Sequence, residues 1–217
     1  MSPRFTPVLF DLDGTIVDSA PGIFSSLRHT YEQLALPTPA DAELRPWIGP
    51  PLLDSFLTLG GLDEPEAQRA LLLYRAHYGE LGAFDAALFP GIAEVLHRLS
   101  AAGVPLSLAT SKPETVTRRI LEHFELSDVF TEITGADDAV GRTSKADVVG
   151  EALRRLASHT HLDRPVLVGD RHHDVDGAAE HGIPSILVGW GYGAPAEAAG
   201  ALATVDTPEQ LLAELGV

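Results

Sequence analysis

Short apolar runs recur at Val8 to Phe10, Pro105 to Ala109, Thr131 to Thr134, Pro165 to Val168 and Ser185 to Val188, and most are separated by stretches with apolar residues three and four apart. The runs read as buried strands and the spaced stretches as amphipathic helices, so the pattern predicts an α/β protein with a parallel sheet covered by helices. Between Ala109 and Asp128, for instance, Val116, Ile120, Leu121 and Phe124 fall on one helical face, as a crossover helix requires. Gly103 and Gly182 each follow a helix-like segment and precede a strand-like one, where a left-handed residue closes a helix.

One interval breaks the alternation. A crossover needs about a dozen residues, yet roughly ninety lie between the first two runs. They read as helices over Pro21 to Leu36, near Asp41 to Arg45, over Pro51 to Leu59 and over Pro65 to Leu81, with breaks at Pro37, Pro39, Pro46, Gly49-Pro50-Pro51 and Gly60-Gly61. The chain is therefore expected to divide into a sheet-containing core, residues 1–16 plus 86–217, and an inserted helical module, residues 17–85.

The length of 217 residues and 45% hydrophobic content suit such an arrangement. No apolar run approaches the roughly 20 residues needed to span a bilayer, and strand-like sequence starts too early for a signal peptide, so a cytoplasmic location is expected. The chain has no cysteine, which removes disulfides, thiolate catalysis and cysteine-based zinc sites. A net charge of −16 opposes binding to nucleic acid or an anionic membrane surface. Any anion site must then be local, built from a metal, one or two placed cations and backbone N–H groups.

The chemistry concentrates at the ends of the apolar runs. The first run ends in Asp11-Leu12-Asp13-Gly14-Thr15. Two positions apart on an extended chain, Asp11 and Asp13 leave the same face and repel unless a cation lies between them. Gly14 removes the side chain where a ligand must approach the backbone, and Thr15 adds a hydroxyl and an N–H. That arrangement suits a divalent metal and a phosphate. The second run leads into Thr110-Ser111-Lys112-Pro113, which by itself reads as a helix cap with proline in the first turn. At the C-terminal end of a strand neighbouring the first, the same hydroxyls and N–H groups become a phosphate site. Lys145 opens a helical segment, against the helix macrodipole, with Lys112 and Arg142 as weaker competitors for its role. The fourth run gives Gly169-Asp170-Arg171-His172-His173-Asp174, two acids four apart. Adjacent His172 and His173 are ill placed to chelate one ion and read as rim residues. Gly189-Trp190-Gly191-Tyr192-Gly193 follows the last long run without the βαβ context of a dinucleotide fingerprint, and reads as a flexible rim loop whose aromatics either meet substrate or pack on the domain.

Taken together, these motifs resemble, in order, the four motifs of the haloacid-dehalogenase-like hydrolase superfamily. Arg45-Pro46-Trp47-Ile48-Gly49-Pro50-Pro51-Leu52 and Trp190-Gly191-Tyr192-Gly193 are similar to its phosphoglycolate-phosphatase-like group with an α-helical cap. The resemblance implies a Rossmann-like three-layer core and Mg²⁺-dependent hydrolysis of a small phosphate monoester through an aspartyl-phosphate. It implies Asp11 as nucleophile and Asp13 as general acid and base. Thr110, Ser111 and Lys145 are then the phosphate-binding residues, and Asp11, Asp13 and Asp170 the metal ligands, with Asp174 orienting either a metal-bound water or Lys145. An all-oxygen set fits Mg²⁺, which accepts few carboxylates. The expected partner is a small phosphorylated metabolite, phosphoglycolate-like first, with a 5′-nucleotide or another phosphometabolite as the alternative. Arg45 is the candidate cap residue for a substrate carboxylate. A phosphomutase shares the two aspartates, and a phospho-receiver domain shares the acid cluster, hydroxyl and lysine, although the latter fits poorly with Asp13 and an inserted helical module.

Overall fold

The computed structural model describes residues 3–217, and within it the chain divides into two compact units, Met1–Val17 with Leu88–Val217, and Asp18–Ala87. The strands in chain order are β1 Val8–Phe10, β2 Val17–Asp18, β3 Ala87–Leu88, β4 Leu106–Pro113, β5 Glu132–Ala136, β6 Val166–Gly169, β7 Ser185–Val188 and β8 Ala203–Val205. Six of them form one sheet in the order β5-β4-β1-β6-β7-β8, and β2 and β3 pair as a separate two-stranded ribbon where the chain leaves and re-enters the first unit. All five pairings within the large sheet are parallel. Its central strands are buried completely, Val8, Leu9 and Phe10 at 0% exposure, which is why they read as unbroken apolar runs rather than as alternating ones.

In chain order the helices are α1 Ala20–Gln33, α2 Asp41–Leu44, α3 Leu52–Thr58, α4 Glu64–Glu80, α5 Ile92–Ala101, α6 Glu114–His123, α7 Lys145–Leu156, α8 His172–Ala179 and α9 Pro208–Leu215. α5 buries Ile92, Val95, Leu96 and Leu99, one stripe at helical spacing. α7 buries Val148, Val149, Ala152 and Leu156 in a core shared with Leu9, Ala109 and Leu167. Ser144 caps α7 by accepting from the Asp147 N–H at 3.1 Å, while the Asp147 carboxylate accepts from the Ser144 N–H at 3.0 Å.

The second unit is α1 to α4 with short 3₁₀ turns. Trp47 is its ring anchor, edge-on to Tyr31 at 6.2 Å and to Phe56 at 5.0 Å. The short helix read near Asp41 to Arg45 is α2 Asp41–Leu44, and Arg45 starts the 3₁₀ turn Arg45–Trp47, which continues directly from it.

Three local expectations need correction. On α6 the fully buried side is Thr117, Ile120 and Leu121, with Val116 and Phe124 only half-buried. β4 does not end at Ala109: it runs to Pro113, with a register shift against β5 between Thr110 and Pro113. β8 was not anticipated, since an edge strand of three residues carries no apolar run.

Candidate active site

Register delivers the site. Phe10 is level with Leu108 on one side and Val168 on the other, so the residues that follow, Asp11, Ala109-Thr110 and Gly169-Asp170, emerge together at the C-terminal edge of the sheet. The chain runs outward from β1 to β4 and β5, then returns to β6, β7 and β8 on the other side, so β1 and β6 flank the switch in direction. Open parallel sheets bind ligands at such a switch.

Four carboxylates and two ammonium groups meet there. Lys145, buried at the start of α7, lies 2.8 Å from Asp11 Oδ1 and 2.7 Å from Asp174 Oδ1, and donates to the Ala109 carbonyl at 2.8 Å. These bonds explain a lysine set against the helix dipole: its charge is matched by two buried acids. Lys112 Nζ lies 2.8 Å from Asp13 Oδ2, also in a largely buried setting. Asp174 Oδ2 accepts from the main-chain N–H groups of Asp170 and Arg171, both at 3.0 Å. Asp170 Oδ2 accepts from the Tyr192 N–H at 2.7 Å. Gly14, with φ of +82°, occupies a left-handed conformation, and a Cβ there would lie 2.2 Å from Asp170 Oδ2.

Burial pushes the Asp11 carboxyl up to about 6, Lys145 opposing and Asp174 and Asp13 adding to the shift. Burial likewise raises Asp170 well above the usual carboxylate range, with Asp174 and Asp11 reinforcing it. For Lys145, burial pulls the ammonium down, but Asp11 and Asp174 more than reverse that and raise it above its ordinary value.

Asp11, Asp170 and Asp174 can each direct one oxygen to a common region, all within 4.8 Å of one another, as a metal site needs. Asp13 Oδ1 and Asp170 Oδ1 are buried with no hydrogen-bond partner. With the four acids ionised against two ammonium groups, the cluster carries two excess negative charges, the complement of one divalent ion. An all-oxygen donor set with such an excess fits Mg²⁺.

Residues 8–188 match the profile of the haloacid dehalogenase-like hydrolases. The chain belongs to that family. Among the proteins it resembles is the tyrosine-protein kinase PtkA of Mycobacterium tuberculosis, 46% identical over 194 residues; the match covers 88% of this chain but only 65% of the kinase's length. The solved PtkA structure covers 99% of this chain and 100% of that one with a TM-score of 0.85 at 41% identity. A 5′-nucleotidase of Pseudomonas aeruginosa is 36% identical, covering 89% of this chain and 87% of that one. A phosphoglycolate phosphatase of Escherichia coli is 28% identical, covering 85% and 81%.

Within this family member, Asp11, Asp13, Lys145, Asp170 and Asp174 share one cluster, and Thr110 and Ser111 lie on the adjoining end of β4. Two readings of the sequence change. Thr110 and Ser111 do not stand at a helix N-terminus: α6 begins at Glu114, and Thr110 Oγ1 accepts from the Lys112 N–H at 3.3 Å within the β4 irregularity. Lys112 is part of the cluster rather than a weak competitor of Lys145. The polar stretch Thr110 to Pro113 carried no sequence signal of strand; once extended in β4, it puts Thr110 and Lys112 on one face. Arg142 is engaged elsewhere, with Glu114 at 3.1 Å. The backbone donor at Tyr192 had no sequence signal, as every residue but proline offers an N–H. Arg45 is exposed, and the two acids just before it in the sequence have partners of their own: Asp41 bonds Arg28, and Glu43 accepts from the Ala40 N–H at 2.8 Å.

Proposed function

We propose that this chain is a Mg²⁺-dependent phosphatase acting on a small phosphate monoester through a phosphorylated Asp11. The observation that carries the reading is the cluster itself: a strand-tip carboxylate beside a buried lysine, a second acid two residues on, and a third acid with an unpartnered oxygen.

Asp11 attacks phosphorus, forming the new P–O bond as the bond to the substrate's alcohol oxygen breaks. Asp13 gives that oxygen a proton and then, as a carboxylate, takes one from the water that attacks the phospho-aspartate, releasing phosphate and restoring Asp11. Lys145, the Ser111 N–H and the Thr110 hydroxyl hold the phosphate oxygens, and Lys112 adds a second cation beside Asp13. Asp174 keeps Lys145 in place. Asp11, Asp170 and the Asp13 main-chain carbonyl would hold Mg²⁺, which supplies charge neutralisation between two anions.

Hydrolysis of an aryl phosphate tests this, with Asp11→Asn expected to lower kcat by at least on the order of 10³-fold while leaving the circular dichroism spectrum unchanged. Activity close to the parent's excludes Asp11 as nucleophile.

The similarity to PtkA favours a second reading, transfer of the phosphoryl group to a tyrosine hydroxyl rather than to water. Two incubations separate the readings: phosphate released from an aryl phosphate supports hydrolysis of a monoester, and label from ATP retained on protein tyrosine supports transfer. For the substrate, phosphoglycolate and 5′-nucleotides are the two classes to compare. If Arg45 clamps a carboxylate, Arg45→Ala lowers kcat/KM for phosphoglycolate by about tenfold to a hundredfold, the equivalent of a charged hydrogen bond, and much less for an aryl phosphate. Equal losses on both substrates remove Arg45 from substrate recognition.

A further inference from the structure

The glycine-rich segment Gly189-Trp190-Gly191-Tyr192-Gly193 has no part in the chemistry above, yet its backbone lies directly on Asp170. The Tyr192 N–H donates to Asp170 Oδ2 at 2.7 Å, while Asp170 Oδ1 has no hydrogen-bond partner. Two glycines make that approach feasible. A Cβ at position 191 would lie 2.4 Å from Asp170 Cβ and 2.4 Å from the Gly14 carbonyl oxygen; one at 193 would lie 2.0 Å from the Asp170 carbonyl oxygen. All three atoms are main chain or the first side-chain carbon, so none can swing aside. The segment is tied down at two further points: the Trp190 indole N–H donates to the Thr15 carbonyl at 3.1 Å, and the Tyr192 ring meets Phe89 edge-on at 6.4 Å. Expected from the sequence as a flexible rim, it braces the turn after β1 against the turn after β6.

We propose that this loop is a positioning element: it consumes one oxygen of Asp170 through a main-chain donor and thereby presents the other to the metal. The proposal rests on the reading of Asp11, Asp13 and Asp170 as the Mg²⁺ site. It predicts a division of labour in which the glycines matter more than the aromatic ring of Tyr192, because the donor is backbone and the ring adds only an edge contact with Phe89. Partners that orient a metal ligand typically change metal affinity about 10- to 100-fold when removed.

The test is Mg²⁺ affinity of the full chain by titration calorimetry, without substrate, alongside thermal unfolding of the metal-free protein. Gly191→Ala is expected to weaken Mg²⁺ binding by about tenfold or more, and Tyr192→Ala by less than about threefold. Trp190→Phe keeps an aromatic side chain but loses the indole N–H that bonds the Thr15 carbonyl, and is expected to weaken binding by an intermediate factor; it carries the test if Gly191→Ala does not fold. Asp170→Asn is the reference for a lost ligand. If the parent binds Mg²⁺ and Asp170→Asn does not, while Gly191→Ala and Trp190→Phe bind like the parent, the loop has no positioning role and the metal site stands. A larger loss in Tyr192→Ala than in Gly191→Ala also overturns the proposal. A parent protein that binds no Mg²⁺ overturns both.

Discussion

At the scale of single residues, the two lysines differ in what they hold. Lys145 neutralises two buried carboxylates and Lys112 one, and both side chains are 7% exposed. Removing Lys145 leaves Asp11 and Asp174 facing each other unpaired. Breaking such a buried pair costs about 3 to 5 kcal/mol, so Lys145→Met is expected to destabilise the metal-free protein by that order in urea unfolding. Stability equal to the parent's contradicts the ion-pair geometry. Lys112→Met is expected to act on the reaction, lowering kcat/KM for an aryl phosphate by about tenfold to a hundredfold, the worth of one charged hydrogen bond. A Lys112→Met enzyme with parental kcat/KM returns Lys112 to a structural role. The sequence showed both lysines at strand or helix ends. It could not show that each faces a different aspartate, because pairing depends on the register of β1, β4 and α7.

At the scale of elements, the start of α8 is held by an acid from far along the chain. Glu197 accepts from Arg171 Nε at 2.7 Å, from the His172 N–H at 3.1 Å and from the Ala194 N–H at 3.0 Å, and its second contact with His172 is through Nδ1 at 2.8 Å. Burial opposes its ionised form, but these donors outweigh burial and bring Glu197 from 4.5 to about 2. Because the folded value lies below the unfolded one, the carboxylate stabilises the fold at pH above 4.5, and that contribution disappears as pH falls from there through about 2. Urea unfolding of the parent and Glu197→Gln is therefore expected to differ near neutral pH, with the parent more stable, and to converge only as pH falls through about 2. A difference that persists unchanged in acid would mean that the Glu197 charge is not the source. Helix periodicity gave the positions of α1 and α4 closely, since each carries several apolar residues at three- and four-residue spacing, and the helical segment opening at Lys145 is α7. It missed the extension of β4, where Thr110 to Pro113 is polar and its pairing with β5 is irregular.

At the scale of the whole molecule, a net charge of −16 sits on a chain that concentrates four acids at one sheet edge. A divalent cation that binds only the folded form adds RT ln(1 + [L]/Kd) of stability, about 2.7 kcal/mol at a hundred times Kd. Mg²⁺ is expected to raise the unfolding temperature and EDTA to reverse the rise, in scans at constant ionic strength. Ca²⁺ is expected to stabilise too but to support little phosphate release, since its looser coordination misplaces the attacking carboxylate. Full turnover after exhaustive chelation, with metal absent by elemental analysis, contradicts a metal-dependent reaction. Among the described residues no helix is long and apolar enough to cross a membrane.

The sequence by itself determined the α/β alternation, the helical insertion and the strand-tip acids. Periodicity, glycine and proline placement, and Asp-x-Asp-Gly-Thr are local properties, readable without knowing what lies alongside. Only the tertiary structure decided which groups meet. Lys112 finds Asp13 across 99 positions and the Tyr192 N–H finds Asp170 across 22, and both encounters exist because parallel pairing of β1, β4, β6 and β7 brings separate turns to one edge. A lysine and a backbone amide have the same chemistry everywhere in a chain; the sheet gives these two their partners.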